Sequence, residues 1–297
     1  MSLQLKLFGG LSLVDTETGA VRVTRRHRLA ALAILASADG PVPRERMLAL
    51  LWPDSSDEGG RHSLGQVLYG LRQDLGLVEL VGGATDLTLQ RGALECDLWS
   101  FRRAISALDH AAALDVYAGP FLDGIHLPGA DLFERWCDEE RAVLARQARG
   151  SMEALATGAE SRGDAAESVR WWRQLAAADP ISSRVALALM RALANTGDRA
   201  AAIQHARVHQ ALVRAELEVD ADASVHAFAE ELRRSNTASP VVTEPLATVQ
   251  PDSVAVPSSA AELSSSTDAS VAAPSRRARW IIGAVATVAV IAAGSQL

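Results

Sequence analysis

Two tripeptides 34 residues apart constrain this chain more than any other feature: Arg162-Gly163-Asp164 and Thr196-Gly197-Asp198, each followed by alanines. In the same register Leu155 matches Leu189 and Val169 matches Ile203. A period of about 34 residues is that of a stacked helix-turn-helix repeat of the tetratricopeptide (TPR) type. Small residues at Ala165, Ala166, Ala200 and Ala201 let paired helices approach closely. Asp179-Pro180 falls where one unit turns into the next. The stretch 97–234 therefore reads as helical throughout.

The stretch 1–96 has a different grammar. Leu3, Leu5 and Leu7, then Leu11 and Leu13, then Val21 and Val23 alternate as short strands, with turns at Gly9-Gly10 and Gly19. Three helical segments follow. The first, Arg25 to Ser37, puts Leu29, Leu32, Ala33 and Ala36 on one face and ends at Gly40-Pro41. The second runs from Pro43, suited to a first helical position, to Trp52, and Pro53 stops it. The third, from Glu58, repeats leucine at 64, 68, 71 and 75 and ends at Gly76. Val78 to Leu89 then reads as a hairpin around Gly82-Gly83. The expected fold is mainly α: a winged helix-turn-helix with a small N-terminal β-sheet (1–96), followed by a TPR-like helical repeat domain (97–234).

Charge locates a candidate function. The chain carries −7 overall, which excludes a general basic coat for nucleic acid. Yet Arg22, Arg25, Arg26 and Arg28 lie between Thr18 and Ala38 with no acid among them. Arg25, Arg26 and Arg28 at a helix start are placed to neutralise phosphates, with the salt dependence this brings. With its apolar face removed, the third helix leaves Arg61, Ser63, Gln66, Tyr69, Gly70, Arg72 and Gln73. These groups can hydrogen-bond to base edges and phosphates, and Gly70 is expected to give room for close approach to a groove.

Enzyme chemistry finds little support. Lys6 is the only lysine, so a GxxxxGK[ST] phosphate loop is impossible. His205 and His209 have the spacing of two zinc ligands on a helix, but Ala206, Arg207 and Val208 between them supply no general base. Asp138, Glu139 and Glu140 read as a solvated face. No cofactor is expected. Two cysteines without CxxC spacing, Cys96 and Cys137, suggest a reducing, cytoplasmic setting.

The tail changes character twice. Residues 235–275 are Ser, Thr, Ala, Val and Pro with few large side chains, the composition of a disordered linker. Arg276, Arg277, Arg279 and Trp280 then precede an uncharged run, Ile281 to Ala293. With an interfacial Trp and arginines inside, 276–297 is expected to be a short transmembrane anchor holding the cytoplasmic domains at the inner membrane.

The head resembles the OmpR-type winged helix as used in the SARP family (Streptomyces antibiotic regulatory proteins). The residues that carry this are Leu5-Lys6-Leu7-Phe8-Gly9, Arg28-Leu29-Ala30-Ala31-Leu32, Arg46-Met47-Leu48 with Leu51-Trp52-Pro53, and Arg61 with Ser63-Leu64 through Leu71-Arg72. The remainder resembles the bacterial transcriptional activation domain of that family, from Asp97-Leu98-Trp99-Ser100-Phe101 through Tyr117-Ala118-Gly119-Pro120-Phe121-Leu122 and Trp136-Cys137-Asp138-Glu139-Glu140-Arg141 to Gly197-Asp198. The resemblance covers about 3–234. It implies an activator, usually a homodimer on direct repeats of double-stranded DNA, that recruits RNA polymerase. It places Gln66, Tyr69, Gly70 and Arg72 at DNA. Tyr69 and Gly70 stand where related helices often carry arginine, so intrinsic affinity is expected to be modest. The anchor is similar to that of membrane-tethered ToxR-type regulators. The rival readings are a repeat scaffold whose winged helix no longer binds DNA, and an enzyme with a site in the repeat groove.

Overall fold

The computed structural model describes residues 3–76 and 80–237, with side chains to 234. The chain divides into two units, 1–241 and 242–297, and the second lies outside the described residues.

The first unit opens with a four-stranded sheet in the order β3-β2-β1-β7. β1 (Leu3–Lys6), β2 (Ser12–Asp15) and β3 (Val21–Val23) form an antiparallel meander, and β7 (Glu95–Cys96) adds parallel to β1. Leu3, Leu5 and Leu13 point inward, as their alternation requires. Helices α1 (Arg26–Ser37), α2 (Arg44–Leu51) and α3 (Asp57–Leu75) follow. Ser56 caps α3 by accepting from Gly59 N–H at 3.2 Å, and Gly76 closes it with left-handed backbone. Pro43 sits one residue earlier than expected. It ends the short strand β4 (Val42–Pro43), which pairs with β6 (Asp86–Leu89), and β6 pairs in turn with β5 (Val81–Gly82). This hairpin is the wing. A side chain at Gly83 would strike the Asp86 carbonyl, so only glycine makes this turn.

The helical half contains α4 (Asp97–Ser106), α5 (His110–Val116), α6 (Asp131–Ser161), α7 (Ala165–Ala178), α8 (Ser183–Asn195), α9 (Arg199–Leu217) and α10 (Ala223–Thr237). The 34-residue echo marks two like turns. Gly163 and Gly197 have positive φ, and Asp164 and Asp198 accept from Glu167 N–H and Ala201 N–H at 2.9 and 3.0 Å to cap α7 and α9. A third such turn, Ala107-Leu108-Asp109, joins α4 to α5. Leu108 takes the left-handed position and Asp109 caps α5. The repeat pattern hides it because leucine stands where the other turns have glycine.

Helix does not run unbroken from Asp97. Residues 117–130 form a loop, interrupted by Gly119, Pro120, Gly124, Pro128 and Gly129. This loop pairs with the end of β1: Leu122 N–H donates to the Leu7 carbonyl at 2.8 Å, and Gly9 N–H to the Pro120 carbonyl at 3.0 Å. Arg141 of α6 fixes the loop by donating to the carbonyls of Phe121 and Leu122 at 2.7 and 2.8 Å. Asp97 accepts from the N–H groups of Leu7 and Phe8 at 2.9 and 3.0 Å. Phe8, Phe101 and Tyr117 pack ring to ring across the same seam. One apolar core consequently runs from Leu3 to Ala148, and a second fills the α7–α10 stack.

The membrane location is corrected. A span needs about 20 predominantly apolar residues, and among the described residues no helix is long and apolar enough to cross a membrane. The longest, α6, is amphipathic and charged along its length. The expected anchor, 276–297, lies outside the described residues, as does the expected linker beyond Thr237. The inner-membrane location is withdrawn.

Candidate nucleic-acid interface

α3 is amphipathic, and its two faces have different tasks. Leu64, Val67, Leu68, Leu71 and Leu75 enter the core. Arg61, His62, Gly65, Gln66, Tyr69, Arg72 and Gln73 are exposed. At 3.6 residues per turn these seven fill a single arc of roughly 140°. Tyr69 sits near the middle of it and is 62% exposed. One turn earlier Gly65 leaves that face bare, since a side chain there would meet nothing within 4 Å. Ser63 is half-buried at the edge.

Gly70 is elsewhere. It is buried, and a Cβ on it would lie 2.1 Å from the Arg28 guanidinium. The space opened by the missing side chain is filled by Arg28, which crosses from α1 to pair with Asp74 of α3. Arg28 is thus a strut between α1 and α3, its side chain only 15% exposed. Gly65, not Gly70, is the glycine on the outward face. The helical period places both, but only the packing of α1 shows which one faces water.

The remaining basic residues converge. Arg25, Arg26, His27 and Arg28 at the start of α1, Trp52 after α2, and His62, Ser63 and Gln66 of α3 line a concavity of about 300 Å³. No acid lines it. His27 stacks on Trp52 with ring centres 5.4 Å apart and planes 8° from parallel. Burial lowers the His27 pKa below the usual histidine value, which favours the uncharged ring. His62, which sequence reasoning missed, lies 3.4 Å from Gln66 between ring nitrogen and amide nitrogen. Arg25 and Arg26 are exposed, and Arg26 reaches the His126 carbonyl at 3.5 Å. The wing tip is tied to α2: Arg44 donates through its side chain to the Ala84 carbonyl and through its backbone to Thr85 at 3.2 Å.

The histidine pair of α9 is built into the repeat. His209 is 2% exposed, with Nδ1 3.0 Å from the Pro180 carbonyl and Nε2 3.0 Å from Ser183 Oγ, so it joins α9 to the turn before α8. Among the described residues no three His, Cys, Asp or Glu side chains are grouped to hold a metal. Cys96 and Cys137 are buried, free thiols, both pushed up to about 12 by burial.

The helical half carries the family match. Residues 89–233 match the bacterial transcriptional activator domain. The match begins in the strand region before α4 and takes in every helix from α4 to α9. Among solved structures the chain is similar to Mycobacterium tuberculosis EmbR in complex with a low-affinity phosphopeptide, at 21% identity and a TM-score of 0.57. The likeness covers 78% of this chain and 65% of EmbR, and at this identity it concerns the fold. No curated protein gives a significant match. The shared fold is a mainly helical body with a small N-terminal sheet, and the activator-domain match lies within the helical body and the strand before it.

Proposed function

We propose that this protein is a DNA-binding transcriptional regulator, an activator, that inserts α3 into the major groove and lays the β5–β6 wing on the backbone. The observation that carries the reading is the outward arc of α3. Arg61, Gln66, Arg72 and Gln73 offer the hydrogen-bonding groups that read base edges. Gly65 lets the helix lie close, and the acid-free concavity under Arg25 and Arg26 is suited to a phosphate. Arg28 and Gly70 act behind this surface, holding α3 against α1. The helical half would supply homodimer contacts and the surface offered to RNA polymerase.

The test is a gel shift with the full chain on double-stranded DNA from upstream of its own gene, against unrelated DNA, at two salt concentrations. Preferential binding that weakens with salt and is lost in Arg72→Ala is the expected result. Absence of binding to either DNA at low salt would favour the scaffold reading.

A further inference from the structure

α6 packs against α2, α5 and α7 and buries Phe133, Cys137, Leu144 and Ala148. Its other side is uncovered among the described residues. Leu132, Arg135, Glu139, Val143, Arg146 and Gly150 recur there every three or four residues, and all six are exposed. At 3.6 residues per turn they form one stripe, about 27 Å long and roughly 80° wide. Leu132 and Val143 keep 42% and 41% of their surface in water.

The second observation is the charge order along the stripe. Arg135, Glu139 and Arg146 have neither an ion pair nor a hydrogen bond among the described residues. Elsewhere on the same helix Arg141 pairs with Asp138, and Glu153 pairs with Arg184. Arg135 and Glu139 are four residues apart, but the base stands nearer the N-terminus, the weaker order for a pair within one helix. Their midpoint is the level of Cys137, and the midpoint of Leu132 and Val143 falls about half a residue away. A twofold axis at that level sets Arg135 of each copy opposite Glu139 of the other, and Leu132 of each opposite Val143. Arg146 then comes within one turn of the second copy's Asp131, which is exposed and equally unpaired among the described residues. Parallel helices would instead set Arg135 against Arg135 and Glu139 against Glu139.

We propose that two copies of this chain associate through antiparallel α6 helices, joined by reciprocal Arg135–Glu139 pairs and flanked by Leu132–Val143 contacts. The inference deepens, and rests on, the proposed part of the helical half in homodimer contacts. It does not depend on α3 reading DNA. One helix pair of this length covers less than the roughly 800 Å² per partner of a standard stable interface, so the dimer is weak and reversible. Chains brought side by side on DNA then pair at concentrations where free chains do not.

The experiment is sedimentation velocity of the full chain without DNA, across a hundredfold range of concentration. A reversible monomer–dimer equilibrium is expected. Arg135→Glu and Glu139→Arg each set like charges against one another on both sides of the axis, and each should weaken self-association about tenfold or more. Mixing the two variants restores both pairs, since one then offers two acids and the other two bases, and the mixture should dimerise at least as well as the native chain. Both positions are exposed and unpaired, and circular dichroism checks that the variants fold. A chain that stays monomeric to millimolar concentration, a dimer that either substitution leaves intact, or a mixture no better than its separate components would overturn the proposal. A dimer insensitive to both substitutions would remove this surface and leave the homodimer reading standing, whereas a monomeric chain would remove both.

Discussion

The Trp99 indole N–H donates to the Ala36 carbonyl at 2.7 Å, so the first helix of the helical half caps the last turn of the first helix of the head. The next two carbonyls are treated alike: Ser37 accepts from Arg102 at 2.7 Å and Ala38 from Arg91 at 3.4 Å. α1 has no basic residue in its own last turn, and these arginines supply the positive charge its C-terminal end favours. Trp99→Phe keeps the ring and removes the donor. It should cost about 1–2 kcal/mol, the range for leaving a largely buried acceptor unpaired. Urea unfolding followed by far-UV circular dichroism measures this. Because one core spans Leu3 to Ala148, the loss should appear in the transition of the head as well as of α4.

Gly65→Ala separates stability from recognition. Nothing lies within 4 Å of the new methyl group, and alanine is favoured over glycine inside a helix by about 1 kcal/mol. The thermal midpoint should rise. Affinity for DNA should fall, because the methyl group stands on the outward arc beside Tyr69. A rise in both would place the DNA contact away from this face.

Gly70→Ala has a different signature. The methyl group must displace the Arg28 guanidinium and break its pair with Asp74. A gain of about 1 kcal/mol in helix propensity is then set against an ion pair worth about 0.2–1 kcal/mol and disturbed α1–α3 packing. Stability should change by less than about 1 kcal/mol, while Gly70→Val should lose clearly more, since a branched side chain cannot share the space. Chemical denaturation of both variants decides it.

Leu108→Gly should stabilise. Leu108 has φ of 56° and is 74% exposed, so it carries the left-handed backbone penalty with little burial in return. Relief of that penalty exceeds the added freedom of the unfolded chain by about 0.5–1 kcal/mol. A lower melting temperature would mean that the Leu108 side chain makes a contact worth more than the strain.

Asp97 gives a pH dependence of defined sign. Burial pushes its carboxyl above the ordinary range, and the N–H groups of Phe8, Leu7 and Leu98 only partly offset this. A folded-state pKa above the unfolded one contributes stability that is full below the unfolded value, about 3.9, and is lost as pH rises through the folded value. Relative to Asp97→Asn, which cannot ionise, the native protein should gain stability between neutral pH and pH 4. Urea midpoints across that range test it, and a native protein that instead loses ground on acidification would contradict the burial argument.

By itself the sequence determined the outline: an opening set of strands, three helices, a hairpin and a helical repeat, in that order. The period-2 leucines of β1 and β2, the leucine stripe of α3 and the Gly-Asp turns of the repeat act locally, through side-chain direction and capping, and these need no distant partner. The outward arc of α3 is legible for the same reason, being what a helical period leaves once the leucines are buried. Tertiary structure decided the rest. α1 reads as one-faced, yet every residue from Leu29 to Ser37 is buried, because α2, α3, α4 and β6 all pack against it. Gly70 and Arg28 read as surface groups and are a packed pair. The loop at 117–130 reads as helix, but its glycines and prolines break it and its backbone completes the pairing of β1. Each outcome depends on which segment, tens of residues away, occupies the neighbouring space, and packing of that kind leaves no periodic trace in the chain.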